Sequence, residues 1–144
     1  MESGMNRRDT AGAMSEENIE LVRAFPKIWN DRNMEGVQEL FDPDAVLEVA
    51  PDWPEQGPFI GRDAVMGQLN RARATFESDS VEWLGDPVAI GDQVIVRLAW
   101  HGLGQGPRSS MQWTAVFTVR HGLFSKLQYF WDHDEALEAT RLPE

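Results

Sequence analysis

The sequence predicts one α+β domain shaped as a cone, in which a strongly curved mixed or antiparallel sheet wraps around about three helices. Three observations support this prediction. The length of 144 residues suits a single core. Apolar residues recur at helical spacing in the first half, and from Ser80 onward they alternate at the period of a β-strand. Six Trp and seven Phe side chains suggest a wide aromatic cavity wall or an exposed aromatic face.

The composition argues against several classes of partner. A net charge of −11 disfavours both nucleic acid and an anionic membrane surface, because each attracts clustered Lys and Arg. The lack of cysteine rules out disulfides and thiol chemistry and suits a reducing cytoplasm, where we expect the protein to reside. No apolar segment reaches the roughly twenty residues that span a bilayer.

The chain is expected to divide into a leader, a domain and a short tail. Residues 1–14 are polar and are predicted to be a disordered leader, and Met14 is an alternative to Met1 as the natural start. The domain is predicted to cover residues 15–140, and residues 141–144 form the tail.

Three helices are predicted before the main strands. Ser15 is a good N-cap and is followed by acidic residues, so the first helix is expected to begin there. Pro26 should kink that helix and leave a carbonyl near Val22 without a helical partner. A second helix is predicted over residues 34–41, and Asp63 is expected to cap the third.

Strand periodicity is strongest in the second half of the chain. The predicted strands are residues 45–50, a segment around Val81 and Trp83, Gln93–Leu103, Ser109–Arg120 and residues 124–131. Hairpin turns are expected at Gly91-Asp92 and at His121-Gly122. The glycine-rich segment 102–106 is interpreted as a hairpin rather than a phosphate loop, because no Lys-Ser or Lys-Thr ending follows it.

Alternation along the strands separates an apolar inner face from a mixed outer face. The inner face is predicted to enclose a pocket, together with aromatic residues of the helices and of the loop over residues 51–61. The predicted lining is Phe25, Trp29, Val49, Trp53, Phe59, Trp83, Leu98, Trp100, Trp113, Ala115 and Tyr129. The alternative is that these residues simply fill the core.

The outer face is predicted to form a homodimer interface, with an ordinary solvated sheet face as the alternative. Its apolar members are Ile95, Ala99, Val116, Thr118 and Phe130. The alternation places His101 on the outer face, so a surface or interface role is favoured over catalysis.

Several sequence motifs occur in an order that points to a known family. They are IWNDRNME at 28–35, FDPDA at 41–45, WPE at 53–55, GRDAV at 61–65, GDQVIV at 91–96 and VFTVRHG at 116–122, with Asp132 and residues 135–137 after them. In this order the chain resembles SnoaL-like domains of the nuclear transport factor 2-like superfamily over about residues 15–139. The resemblance implies a cone-shaped α+β fold that is often dimeric. It implies no single function, because the fold hosts isomerases, epoxide hydrolases, dehydratases, polyketide cyclases and non-catalytic binders.

The catalytic groups of two such enzyme classes have no counterpart at the matching positions. Ketosteroid isomerases use a tyrosine and two aspartates, and limonene-type epoxide hydrolases use an Asp-Arg-Asp arrangement. At the positions that match the isomerase residues, this sequence has Phe25, Val49 and Ala115. At the positions that match the hydrolase residues, it has Leu98, Trp100 and Tyr129. No inward acid–histidine pair of the polyketide cyclase type is found.

The leading prediction is therefore a domain that binds a small apolar organic molecule. One alternative is an enzyme of the same fold acting on a hydrophobic cyclic substrate, with Tyr129 and Asp52 as weak acid–base candidates. Another is a non-catalytic dimerisation module with a filled core. No cofactor or metal is expected, because Asp132 with Glu135 has the spacing of a helix cap and the three histidines are scattered.

Overall fold

The computed structural model describes residues 7–104 and 109–141, with side chains over residues 15–104 and 109–140. The helices are α1 (Arg7–Asn30), α2 (Met34–Glu39), α3 (Arg62–Arg73) and α4 (His133–Arg141). The strands are β1 (Phe41–Glu48), β2 (Phe59–Ile60), β3 (Ser78–Trp83), β4 (Val88–Ile90), β5 (Gln93–Leu103), β6 (Ser109–Arg120) and β7 (Leu123–Phe130). None of the helices in these ranges is long and apolar enough to cross a membrane.

The seven strands form one open, mixed sheet in the order β2-β1-β7-β6-β5-β3, with β4 paired to β5. The β1–β7 pairing is parallel and the other pairings are antiparallel. Helices α1, α2 and α3 pack with one face of the sheet in the main core, where Val94 and Val96 are buried. Helix α4 packs on the opposite face against Ile95 and Val116. The predicted α+β fold is confirmed.

Helix α1 differs from its predicted form at its start and agrees with it near its end. The helix begins at Arg7, so Ser15 lies inside it and the predicted N-cap was wrong. The segment before Ser15 contains alanine and arginine, which favour helix, and this explains the earlier start. Of the predicted leader, residues 1–6 lie outside the described part. Pro26 lies inside the helix as expected, and the Val22 carbonyl accepts a hydrogen bond of 3.0 Å from the indole of Trp83.

Other predicted boundaries were also wrong, including the end of the second helix, which lies at Glu39 rather than at residue 41. Strand β1 begins at Phe41 rather than at residue 45, and its pairing with β7 shifts register between Phe41 and Val46. A bulge of this kind accommodates Pro43, which has no N–H for the ladder. Helix α3 begins at Arg62 after Gly61, whose φ of 95° suits glycine, so Asp63 lies in the first turn and is not the cap.

Helix α4 covers much of the outer face that was predicted to form a homodimer interface. Ala136 packs against Ile95 and Val116 and is fully buried, and Phe130 packs against the same cluster. The expectation of an open apolar patch was wrong, because the chain's own C-terminal helix buries it. Asp132 caps this helix as predicted, accepting a hydrogen bond of 2.8 Å from the backbone N–H of Asp134.

Candidate functional site

A cavity of about 420 Å³ lies between α1, α3 and the inner face of the sheet. This volume is within the range of pockets that bind small organic molecules. The aromatic residues that α1 and the strand β3 supply are Phe25, Trp29 and Trp83. Their ring planes are nearly parallel, since Phe25 makes angles of 19° with Trp29 and 13° with Trp83, at centroid distances of 5.9 Å. One side of the cavity is therefore a row of similarly oriented aromatic rings.

The long strands supply the facing side. Leu98 and Trp100 from β5, Trp113 and Ala115 from β6, and Tyr129 from β7 all line the cavity. These side chains lie on the same face of the sheet because alternate residues of a strand point to the same side, as the sequence predicts. The interior is thus not filled, contrary to the alternative that the inner face only packs a solid core.

The loop between β1 and β2 closes one end of the cavity with Trp53. Its ring contacts those of Trp113 and Tyr129, at centroid distances of 5.0 and 4.8 Å. Trp53 is 7% exposed although its neighbours in the loop are exposed, so the side chain anchors the loop to the sheet.

Three of the predicted site residues lie outside the lining. Val49 packs against the main core just after β1, and Phe59 lies on the two-residue strand β2 at the edge of the sheet. Asp52 is exposed in the loop, with a positive φ of 65° that turns the backbone there. The structure therefore does not bring Asp52 together with Tyr129.

Polar groups with no net charge also line this cavity. Burial raises the pKa of the Tyr129 phenol well above its ordinary value. The indole N–H of Trp113 is buried and has no hydrogen-bond partner within the described ranges. Gln68 on α3, which the sequence did not indicate, lines the cavity and is 3% exposed. The site thus offers neutral hydrogen-bonding groups within an apolar wall.

An ion pair lies on a partly exposed part of the cavity lining. Arg71 on α3 donates to Glu55 of the loop through Nε, at 3.1 and 3.2 Å, and through Nη2. Both residues line the cavity and are partly exposed. The hydrogen bond to Glu55 raises the pKa of Arg71, so the guanidinium stays charged. Glu55 and Arg71 carry opposite formal charges, so this part of the lining carries little net charge.

The sequence analysis did not predict the buried carboxylate of Asp79, which lies next to the cavity tryptophans Trp29 and Trp100. Asp79 on β3 has a side chain that is 1% exposed, and it accepts hydrogen bonds of 2.7 Å from the indoles of both Trp29 and Trp100. Arg73 donates to it at 2.9 Å, and its guanidinium lies 4.5 Å from the Trp29 ring centroid. Burial lowers the pKa of Arg73, and the charge of Asp79 opposes that shift.

The alternation of residues in β3 does indicate that Asp79 faces inward. Val81 and Trp83 lie on the inner face of β3. Asp79 is two residues before Val81, so the alternation of a strand places it on the same face. The sequence analysis expects the alternation to begin at Ser80, one residue after Asp79, whereas the strand begins at Ser78. No comparable signal exists for Arg73, because arginine at the end of a helix is usually exposed.

The histidines do not contribute to the cavity. His101 lies on the outer face as predicted, hydrogen-bonded to Ser110 at 2.8 Å and to Glu82 at 2.9 Å. His133 on α4 is hydrogen-bonded to Thr114 at 3.1 Å. No group of three potential ligands suited to a metal ion occurs among the residues whose structure is described.

Comparison with known proteins identifies the family. The model of the SnoaL-like domain matches residues 22–127, and the chain belongs to this family. None of the curated proteins matches the chain.

Solved structures share the fold at low sequence identity. Bal32a, from a soil-derived mobile gene cassette, has a TM-score of 0.74 and 24% identity, covering 89% of this chain and 99% of its own. TerC, co-crystallized with polyporic acid, has a TM-score of 0.68 and 19% identity over 88% of this chain and 99% of its own. An LEH-like epoxide hydrolase of M. tuberculosis has a TM-score of 0.66 and 17% identity over 88% and 90%. At these identities the likeness shows the fold alone.

Proposed function

We propose that this SnoaL-like domain binds a small, uncharged and largely apolar organic molecule in its aromatic cavity. The observation that carries the proposal is a cavity of about 420 Å³ in which aromatic rings and aliphatic side chains form most of the wall. The charged side chains that line it, Glu55 and Arg71, neutralise each other. The crystal complex of the similar protein TerC with polyporic acid is in keeping with an organic ligand.

Apolar burial supplies the driving force for such binding. Each 100 Å² of apolar ligand surface removed from water contributes about 2.5 kcal/mol, before the cost of association is subtracted. The neutral groups of Tyr129, Gln68 and Trp113 line the cavity and would orient the ligand through hydrogen bonds. The Trp113 indole N–H is free for such a bond, since it has no partner within the described residues. A charged ligand would lose its hydration in the cavity without gaining an opposite charge.

The alternative of an acid–base enzyme has less support. Asp52 is exposed and outside the lining, so it is not placed to exchange a proton with a ligand next to Tyr129. The raised pKa of Tyr129 makes the phenol a weaker acid, which suits a hydrogen-bond donor better than a proton donor.

The proposal is tested with prodan, an uncharged naphthyl ketone dye whose emission shifts to shorter wavelength in an apolar environment. The wild-type protein should produce a saturable blue shift. Ala72→Trp places an indole in the cavity from α3 and should weaken binding by about tenfold or more, a loss of about 1.4 kcal/mol. Ala74→Trp is the matched control, because Ala74 is exposed at the end of the same helix. The absence of a saturable shift, or equal effects of the two variants, would reject the proposal.

The homodimer and the cytoplasmic location stay predictions. Because α4 covers Ile95 and Val116, a partner subunit has access to the exposed polar part of the outer face around Arg97 and Gln112. Light scattering after size exclusion gives the mass directly. Twice the chain mass of 16.3 kDa would support the dimer, and a single chain mass would reject it.

A further inference from the structure

We propose that Asp79 is a positioning residue of the cavity, which fixes the indoles of Trp29 and Trp100 and thereby makes the site selective for flat, uncharged ring compounds over globular ones of similar size. This inference rests on the proposed binding function and adds to it a shape preference and the residue that maintains it. Asp79 itself is not among the residues that line the cavity.

The carboxylate of Asp79 joins three separate elements. Its Oδ2 atom accepts both indole N–H groups, from Trp29 at the end of α1 and from Trp100 on β5. Its Oδ1 atom accepts from Nε of Arg73 at the end of α3, and Nη1 of Arg32 lies 3.5 Å away. Hydrogen bonds to an ionised acceptor are stronger than neutral ones, so this arrangement holds the indoles firmly.

The positive charge of Arg73 makes the buried carboxylate tolerable. A carboxylate that is 1% exposed requires a charge partner and hydrogen bonds, and Asp79 has both. Arg73 also contacts the Trp29 ring, so the cation stabilises the indole from its face while Asp79 holds it at the nitrogen. The same two residues therefore restrict both the tilt and the rotation of Trp29.

This arrangement has a consequence for the ligand. The N–H groups of Trp29 and Trp100 are occupied by Asp79, so the two side chains offer the cavity their apolar carbon atoms. Trp29 begins the row of nearly parallel rings with Phe25 and Trp83, and Trp83 is held in turn by the Val22 carbonyl. A row of rings fixed at both ends favours a flat ring that stacks in the same orientation. A globular molecule would need these rings to move apart.

The substitution Asp79→Asn tests the role of the carboxylate. An asparagine offers one acceptor oxygen and places an NH₂ group among donors, so the indoles and Arg73 compete for a single oxygen. Asp86→Asn is the control, because it removes the same charge from a side chain that is 94% exposed. The readout is displacement of prodan by 2-naphthol, which is flat, and by 1-adamantanol, which is globular and has the same number of carbon atoms.

The wild type and Asp86→Asn should bind 2-naphthol about tenfold more tightly than 1-adamantanol, and folded Asp79→Asn should lose most of that ratio while still binding prodan. A loss of stability alone would weaken both competitors together, so the ratio separates positioning from folding. A folded Asp79→Asn protein that keeps the wild-type ratio would overturn the inference, and so would a wild type without the preference. Failure of the wild type to bind prodan would instead reject the binding function.

A second variant keeps the test decisive if Asp79→Asn does not fold. Trp100→Phe removes one of the two indole bonds and leaves Asp79 paired with Arg73. It should lower the ratio in part. An unchanged ratio in folded Trp100→Phe would contradict the inference.

Discussion

At the scale of single residues, the indole nitrogens divide four of the five tryptophans that line the cavity into two kinds. Trp29 and Trp100 donate to one buried carboxylate, and Trp83 donates to the Val22 carbonyl that a proline leaves free. Trp113 has a buried N–H with no partner in the described part of the chain. The bonded indoles act as fixed walls, while Trp113 keeps a hydrogen-bonding group that a ligand oxygen could satisfy.

This difference predicts that replacing tryptophan by phenylalanine lowers the free energy of unfolding by different amounts at positions 83 and 113. Trp83→Phe leaves the carbonyl of Val22 without a partner in the core, whereas Trp113→Phe removes a donor that has none. Trp83→Phe should therefore lower the free energy of unfolding by about 1–3 kcal/mol more than Trp113→Phe. Urea denaturation of the two variants beside the wild type measures the difference. Equal losses, or a larger loss for Trp113→Phe, would show that the hydrogen bond to Val22 does not matter.

Tyr129 gives a second prediction at this scale, because it is the one tyrosine of the sequence. Burial raises its pKa in the folded state, so the folded protein favours the neutral phenol more than the unfolded chain does. Its contribution to stability is fully present below the unfolded pKa of about 10 and declines as the pH rises above that value. The ultraviolet absorbance of tyrosinate should therefore appear near pH 10 in denaturant and only at higher pH in the folded protein. Coincident titrations would contradict the burial of the phenol.

At the scale of elements, the two long strands were predicted with the bounds that the structure shows. Strong alternation identifies β5 and β6, and the turns that bound them carry positive φ values of 64° at Gly91 and 54° at His121. Strand β1 was harder, because Pro and Asp at its start are rare in strands and the bulge that accommodates them depends on pairing with β7. Local propensity does not contain such long-range pairings.

Helix α4 provides the prediction at this scale. Ala136 is fully buried against the outer face, whereas Ala139 on the same helix is exposed. Ala136→Asp places a charge against Ile95 and Val116 and should lower the stability of the fold by about 2 kcal/mol or more. Ala139→Asp should change it by less than about 0.5 kcal/mol. Thermal unfolding of both variants measures this, and equal melting temperatures would show that α4 does not dock on the sheet.

At the scale of the whole molecule, the sequence predicted an aromatic pocket but not the polar contacts behind it. The inner faces of β5, β6 and β7 follow from a period of two, which places Leu98, Trp113 and Tyr129 in the cavity. The contact between Trp29 and Asp79 joins residues fifty positions apart, and no local pattern specifies it. Gln68 was missed for the same reason, since a polar residue on a helix is usually exposed. Periodicity thus predicts which face is buried, whereas the partners across the cavity depend on the tertiary fold.

A crystal structure of the protein with 2-naphthol tests most directly whether the aromatic cavity is a binding site for a small apolar molecule. We expect electron density for the flat ring inside the cavity, between the row of Phe25, Trp29 and Trp83 and the side chains of β5 and β6. The ligand hydroxyl should lie within hydrogen-bond distance of Tyr129, Gln68 or the Trp113 indole. A cavity filled by rearranged side chains, or naphthol bound on the outer surface alone, would show that the cavity is not the binding site.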